Sequence, residues 1–141
     1  MNRYTQGGIR VDIIKDNFDR VKTKIKRELL PAGLEFGGMA IERQWKATAR
    51  VDTGRYRSSI GHSQDMLSEK GKAQGITINP HDAIWNLTSG VAGIWLYIGT
   101  NVKYAPDLEA RYGTGYGAME TMKPLVLQGI KKALEGGLTI L

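Results

Sequence analysis

The sequence contains no cysteine. That absence excludes a disulfide framework, a thiolate zinc site and a cysteine nucleophile, and it fits a reducing compartment. Histidine is nearly absent too. His62 and His81 are separated by nineteen residues with no spaced partner set; a zinc site wants four ligands, or three and a water. Proline occurs four times in 141 residues, so each one marks a place where the backbone is being directed. Long hydrophobic runs are missing. The longest stretch of apolar residues and glycine, 90–99, is ten residues, too short to span a bilayer as a helix. Residues 1–8 are polar and carry no hydrophobic signal core. A secreted or membrane-spanning protein is therefore not expected, and the glycosylation sequon Asn86-Leu87-Thr88 carries no meaning without export.

What is present suits one globular domain, 1–141, with an ordinary apolar fraction and room for one core. No internal repeat or interdomain linker interrupts it. The net charge is +6, and it is uneven: residues 1–60 hold 13 Lys and Arg against 7 Asp and Glu, whereas residues 61–141 hold 7 of each. An acidic partner, DNA included, is expected to meet the first part of the chain. The plainer reading is a solvated, lysine-rich helix face.

Residues 1–10 read as a flexible arm and residues 12–49 as helical. Ile14, Phe18, Val21, Ile25 and Leu29 recur at helical spacing. Pro31-Ala32-Gly33 interrupts that stripe, so a second helix is expected from Pro31 to about Ala49, burying Leu34, Gly38, Ile41, Trp45 and Thr48. The pair Gly37-Gly38 weakens a helix by roughly 1 kcal/mol per glycine. It points to a bend or to close packing with a neighbour.

Residues 51–100 read as loop and strands. A short helical turn is expected at 55–60, a polar loop or hairpin end at 64–74, and a half-buried strand at 76–78 that Pro80 ends. The strongest strand is 94–98, Ile-Trp-Leu-Tyr-Ile. Within 104–141 the pattern gives a short helix at 104–112 with Pro106 in its first turn, a flexible glycine-rich loop at 113–117, and a last helix at 123–134. Gly136-Gly137 would cap that helix and an apolar tail, 138–141, would follow it. The sum is α+β: a long N-terminal helical segment and a C-terminal helix packed on a small, mostly antiparallel sheet.

Three features invite chemistry. Asp52-Thr53-Gly54 matches the catalytic tripeptide of dimeric aspartic proteases, in which two carboxylates share a proton. Against it, residues 43–50 read as a charged helix where a protease wants an apolar strand, and Arg55 opposes a shared proton. The simpler role is a turn in which Asp52 bonds the Thr53 or Gly54 amide. The glycine-rich stretch 113–117 lacks the spacing and lysine of a P-loop, and reads better as a loop that orders on assembly. Trp45 and Trp95 lie in apolar patterns and are expected in the core. Trp85 lies in a loop-like stretch, 83–90, and is the expected surface anchor for a protein partner.

Two segments carry a resemblance. One is Val51-Asp52-Thr53-Gly54-Arg55-Tyr56-Arg57-Ser58-Ser59-Ile60; the other is Gly99-Thr100-Asn101-Val102-Lys103-Tyr104-Ala105. They are followed by the acidic Asp107-Leu108-Glu109, the glycine-rich stretch and Pro124-Leu125-Val126-Leu127. In this order and spacing the chain resembles the small tail-completion or neck (head–tail joining) proteins of long-tailed bacteriophages, related to minor tail protein Z. The resemblance spans roughly residues 12–135. Two departures stand out: the break at Pro31 divides a helix that is often continuous in the family, and Gly-Thr-Gly-Tyr-Gly replaces a proline-containing stretch.

The resemblance implies structural work without catalysis, cofactor or metal. Such a subunit would sit in the virion's neck or head-proximal tail after assembly in the host cytoplasm, as one copy in a ring, often sixfold. Its partners would be copies of itself and the neighbouring neck, tail-tube or tail-terminator proteins, close to packaged DNA. Implied interface residues are Asp52, Thr53, Gly54, Arg55 and Arg57, with an arginine reaching a carboxylate on this or the next subunit. Trp85, Gly99, Thr100, Tyr104 and Tyr116 complete the set. The alternative is a basic nucleic-acid-binding module using the first 60 residues.

Overall fold

The computed structural model describes residues 19–91 and 93–138. The expected arm, the first positions of the helical stripe (Ile14 and Phe18) and the tail at 139–141 lie outside the described residues. The architecture is α+β, as the order of elements implied.

Residues 19–24 are helical, Ile25–Leu29 form a π-helical turn, and Leu30–Thr48 form helix α1. The helix runs unbroken past Pro31, so the expected division is not there. Pro31 sits in the first turn of α1, and the wider turn before it provides the room. The Leu30 amide reaches back five residues to the Ile25 carbonyl, which loosens the ladder where the proline ring would press on the preceding turn.

After a turn come the short helices α2, Arg55–Ser58, and α3, Glu69–Ala73. The latter occupies part of the expected polar loop; the Ser68 hydroxyl caps it by accepting from the Gly71 amide. Residues 76–79 are not a strand. The Ile76 amide donates to the Gly71 carbonyl, closing off α3, and the Asn79 side chain caps a 3₁₀ turn at Pro80–Asp82. That backbone is used locally and, among the described residues, pairs with no other strand. Strand β1, Ala83–Gly90, pairs antiparallel with β2, Gly93–Thr100, as a two-stranded sheet. The stretch around Trp85 is thus a strand, and among the described residues these two strands are the whole sheet.

Helix α4, Ala105–Tyr112, has Pro106 in its first turn as expected. Helix α5 runs from Thr114 to Leu138 and overturns three expectations. The glycine-rich stretch from 114 onward is helical, Pro124 lies inside the helix, and Gly136-Gly137 do not cap it. The early start has a cause outside the stretch. Glu109 of α4 accepts from the amides of Gly115 and Tyr116, at 2.9 Å each, so a carboxylate satisfies the first-turn donors that every helix leaves open.

Helices α1 and α5 form an antiparallel pair joined by glycines. A Cβ on Gly33 would lie 2.9 Å from the Ile130 Cα, one on Gly37 would lie 2.7 Å from the Val126 Cγ1, and one on Gly115 would lie 2.7 Å from the Trp45 ring. The Gly37-Gly38 pair therefore marks close packing. Gly38 faces the sheet, where Leu96, Trp85 and Ile98 leave no space for a side chain. Thr48 is exposed, and its hydroxyl turns back to the Gln44 carbonyl.

The core proper is small: Ala49, Tyr56, Ile60, Val102 and Ala105 are buried, with Trp45 and Leu108 packed against them. Trp95 is not in it. Paired strand residues share a face, so Trp85, Leu87, Leu96 and Ile98 look toward α1 while Trp95 and Tyr97 look away. Those two rings are 44% and 54% exposed. Trp85, expected as the surface anchor, is half-buried instead.

Candidate functional site

The core lies where the two motif segments meet, and they interlock. The Ser59 hydroxyl bonds the Thr100 hydroxyl at 2.6 Å and donates to the Tyr56 carbonyl at 2.8 Å. Thr100 in turn accepts from the Val102 amide. The Gly61 amide donates to the Gly99 carbonyl at 2.9 Å, and the Tyr56 and Tyr104 rings lie 6.5 Å apart. The Tyr56 hydroxyl accepts from the Trp45 indole at 3.0 Å. Helix α1, the Val51–Ile60 motif and the end of β2 are thus bound into one joint.

Gly54 is the pivot of that joint. Its φ is +89°, and a Cβ there would meet the Met66 carbonyl oxygen at 2.5 Å. Only glycine fits both the backbone angle and the space. The chain 66–68 lies directly alongside: Ser68 donates its amide to the Thr53 carbonyl and its hydroxyl to the Asp52 carbonyl. Thr53, not Asp52, makes the local turn bond, accepting from the Arg55 amide. The Asp52 carboxylate is 74% exposed and paired with Lys70. The expected turn role of Asp52 therefore passes to Thr53, because the aspartate side chain points outward to α3.

Both motif arginines bond within the chain, though the Nε of each is buried with no hydrogen-bond partner among the described residues. Arg55 reaches Asp82 at 3.3 Å, so its carboxylate belongs to this subunit. Arg57 reaches no carboxylate; its guanidinium donates to the Met66 carbonyl at 2.6 Å. Burial raises the Tyr104 phenol above its usual range; Arg55 opposes the shift, and Asp82 and Asp52 add to it.

A second polar cluster was not picked out from the sequence. Glu42 and Lys46, one helical turn apart on α1, are both buried and ion-paired at 3.1 Å. Glu42 also accepts from the His62 amide at 3.2 Å and bonds the His62 Nδ1 at 2.6 Å. Lys46 donates to the His62 carbonyl at 2.7 Å and the Gln64 side chain at 2.9 Å. The His62 ring stacks on Trp85 with centroids 4.3 Å apart. The i, i+4 spacing of Glu42 and Lys46 was the available signal, but it reads equally as an exposed pair.

Beside the joint, α1, β2, α4 and α5 enclose an open apolar groove of about 640 Å³. Leu34 and Ile41 line its floor, Leu96 and Ile98 one wall, and Val126 and Met119 the other. Of the residues singled out from sequence, Gly99, Thr100 and Tyr116 border this groove. Asp52, Thr53, Gly54, Arg55 and Tyr104 border a separate hollow with Ile76 and Leu108. Arg57 borders a third with His62 and Met66. Trp85 lies on the sheet's inner face, against Gly38 of the groove and stacked on His62 of the third hollow. Among the described residues, no cluster of three His, Asp or Glu side chains is placed to hold a metal ion, and no helix is long and apolar enough to cross a membrane.

No protein-family model, curated protein or solved structure matches this chain.

Proposed function

We propose that this chain is a structural subunit of the neck or tail top of a tailed bacteriophage, completing the tail and joining it to the head as one member of a ring. The observation that carries the proposal is the interlocking of the two motif segments through Ser59–Thr100, Gly61–Gly99 and Tyr56–Tyr104. Segments some forty residues apart, singled out by their resemblance to neck proteins, form a single mechanical joint. That suits residues kept for shape rather than for chemistry.

The surface supports the same reading. A closed ring is built from heterologous contacts, in which one patch of a subunit meets a different patch of the next. This chain offers two unlike apolar patches, the groove over α1 and the exposed Trp95–Tyr97 face of the hairpin. Subunit number, proposed as six, and the virion location rest on the resemblance. No cofactor or catalytic step is part of the proposal.

The test is electron microscopy of lysates from a parent phage lacking this reading frame. Full heads beside separate tails of normal length are expected. Intact infectious particles would remove the joining role. Tails that are absent or overlong would move the protein to tail initiation or length control.

A second reading has its own observation. Lys22, Lys26 and Arg27 line a hollow with Thr88 and Ser89 at the hairpin tip, a placement that suits a phosphate backbone. Binding to duplex DNA that weakens steeply with salt would favour it.

A further inference from the structure

We propose that the hollow between α1 and residues 57–66 binds a phosphate group as its dianion, held by Arg43 and Arg57. The hollow measures about 690 Å³, within the size range of small-molecule sites. Met39, Arg43 and Ala47 of α1 line one side, and Arg57, Ser63 and Met66 line the other. It shares no residue with the basic hollow at the hairpin tip.

Its walls are tied in place by bonds that no ligand supplies. Lys46 places its ammonium on Glu42, on the His62 carbonyl and on Gln64, which fastens the loop to α1. The Gln64 amide donates to the Ser58 carbonyl and the Met66 amide to the Ser58 hydroxyl. Ser58 is fully buried, so the same loop is fastened to the core. A ligand entering between such walls has little ordering left to impose.

Charge selects the ligand. Arg43, Lys46 and Arg57 bring three positive charges to the hollow, and Glu42 is the one carboxylate lining it. With histidine counted neutral, the lining is two charges positive, the match of a phosphate dianion. Glu42 is already committed, one oxygen to Lys46 and the other to His62. Neither arginine enters an ion pair among the described residues. Arg43 is exposed. The Arg57 guanidinium makes one hydrogen bond, to the Met66 carbonyl, and its Nε has none. Asp65 in the same loop is exposed and pairs with neither arginine. Two guanidinium forks without a counter-charge suit the several oxygens of a phosphate. A carboxylate, with two oxygens and one charge, would satisfy only one of them. Ser63 and the Gln64 amide nitrogen, whose oxygen is turned to Lys46, add neutral donors.

The test is a titration of the full chain with inorganic phosphate at about pH 8, where the dianion prevails. Ionic strength is held constant so that general screening does not change, and backbone amide shifts are followed by NMR. Saturable shifts at residues 57–66 and around Arg43 are expected. Arg43→Gln and Arg57→Gln should each weaken binding by about tenfold or more. Arg43 is exposed on its helix, so its variant carries the test even where Arg57→Gln fails to fold. Arg111→Gln, exposed and outside this hollow, should bind phosphate as the parent does. Shifts that never saturate, or binding that survives Arg43→Gln unchanged, would overturn the proposal. Acetate binding as tightly as phosphate would overturn it too, by giving the arginines to a carboxylate. So would a short DNA duplex that displaces phosphate through Arg43, by giving them to a nucleic-acid backbone. The outcome does not depend on the neck reading.

Discussion

Replacing Gly33 by alanine tests the glycine seam between α1 and α5. The added Cβ would stand 2.9 Å from the Ile130 Cα, against the 3.4–4 Å of ordinary contact. The obstacle is backbone, so no side chain can swing aside. The helices must part by about 0.5–1 Å along the seam, and the contacts of Gly37 with Val126 and Gly129 with Phe36 loosen with them. Overpacking of this kind costs about 1–3 kcal/mol. Alanine returns about 1 kcal/mol of helix propensity, leaving a net loss of about 0–2 kcal/mol. For a chain of this size that lowers Tm by up to about 7 °C. Gly117→Ala is the matched control: it too lies in a helix, but its Cβ would meet nothing within 4 Å. It should gain about 0.5–1 kcal/mol from the same propensity. Urea melts of the three proteins provide the assay. A Gly33→Ala protein that gained as much stability as Gly117→Ala would mean that the helices do not touch through glycine. A destabilised Gly117→Ala protein would mean that residues 114–117 are not helical.

Three further outcomes follow from the joint and the buried ion pair. Gly54→Ala should lose about 3 kcal/mol in a denaturant melt, from the positive φ and the contact with the Met66 carbonyl together. Glu42→Gln should lose about 2–3 kcal/mol, because Lys46 stays buried without its counter-charge while keeping two neutral acceptors. Adding Lys46→Met to Glu42→Gln should recover part of that loss; no recovery would show that the stranded ammonium is not the cause. The raised Tyr104 phenol favours the neutral form in the folded protein. Its contribution is complete below the ordinary tyrosine range and is lost as pH climbs through the higher folded value. Tyr104→Phe should therefore flatten the fall in stability above about pH 10, and an unchanged alkaline limb would refute the shift.

The sequence carried the order of elements but not their joins. Helix α4, strand β2 and the two terminal helices were legible because periodicity and Pro106 are local signals. The break expected at Pro31 fails because a π turn absorbs the proline, and nothing in the residues 25–29 announces such a turn. The loop expected at 113–117 fails because the cap, Glu109, comes from the preceding helix. The tryptophans exchange roles for a similar reason. Trp95 sits in an apolar run that suggests a core, but among the described residues nothing packs over that face of the two-stranded sheet and the ring is 44% exposed. Trp85 sits among Asn, Thr and Ser, yet its pairing with Ile98 turns it toward Gly38. The motif residues were legible as a group, whereas their contacts were not. Either Arg55 or Arg57 was expected at a carboxylate; Arg55 reaches Asp82, while Arg57 binds the Met66 carbonyl, a partner that sequence spacing does not reveal.

The glycine seam also bears on when the molecule can fold. It joins Gly33 to Ile130 and Gly37 to Val126, pairing a helix near the start of the chain with one near its end. As synthesis proceeds, α1 leaves the ribosome with its narrow glycine face bare, and the joint can close once Val102 and Ala105 have emerged. The seam must wait for α5. Contacts this far apart in sequence slow folding, and they hold this step back until α5 has emerged. The groove is walled by Met119 and Val126 of α5, so a copy truncated before α5 has no finished groove.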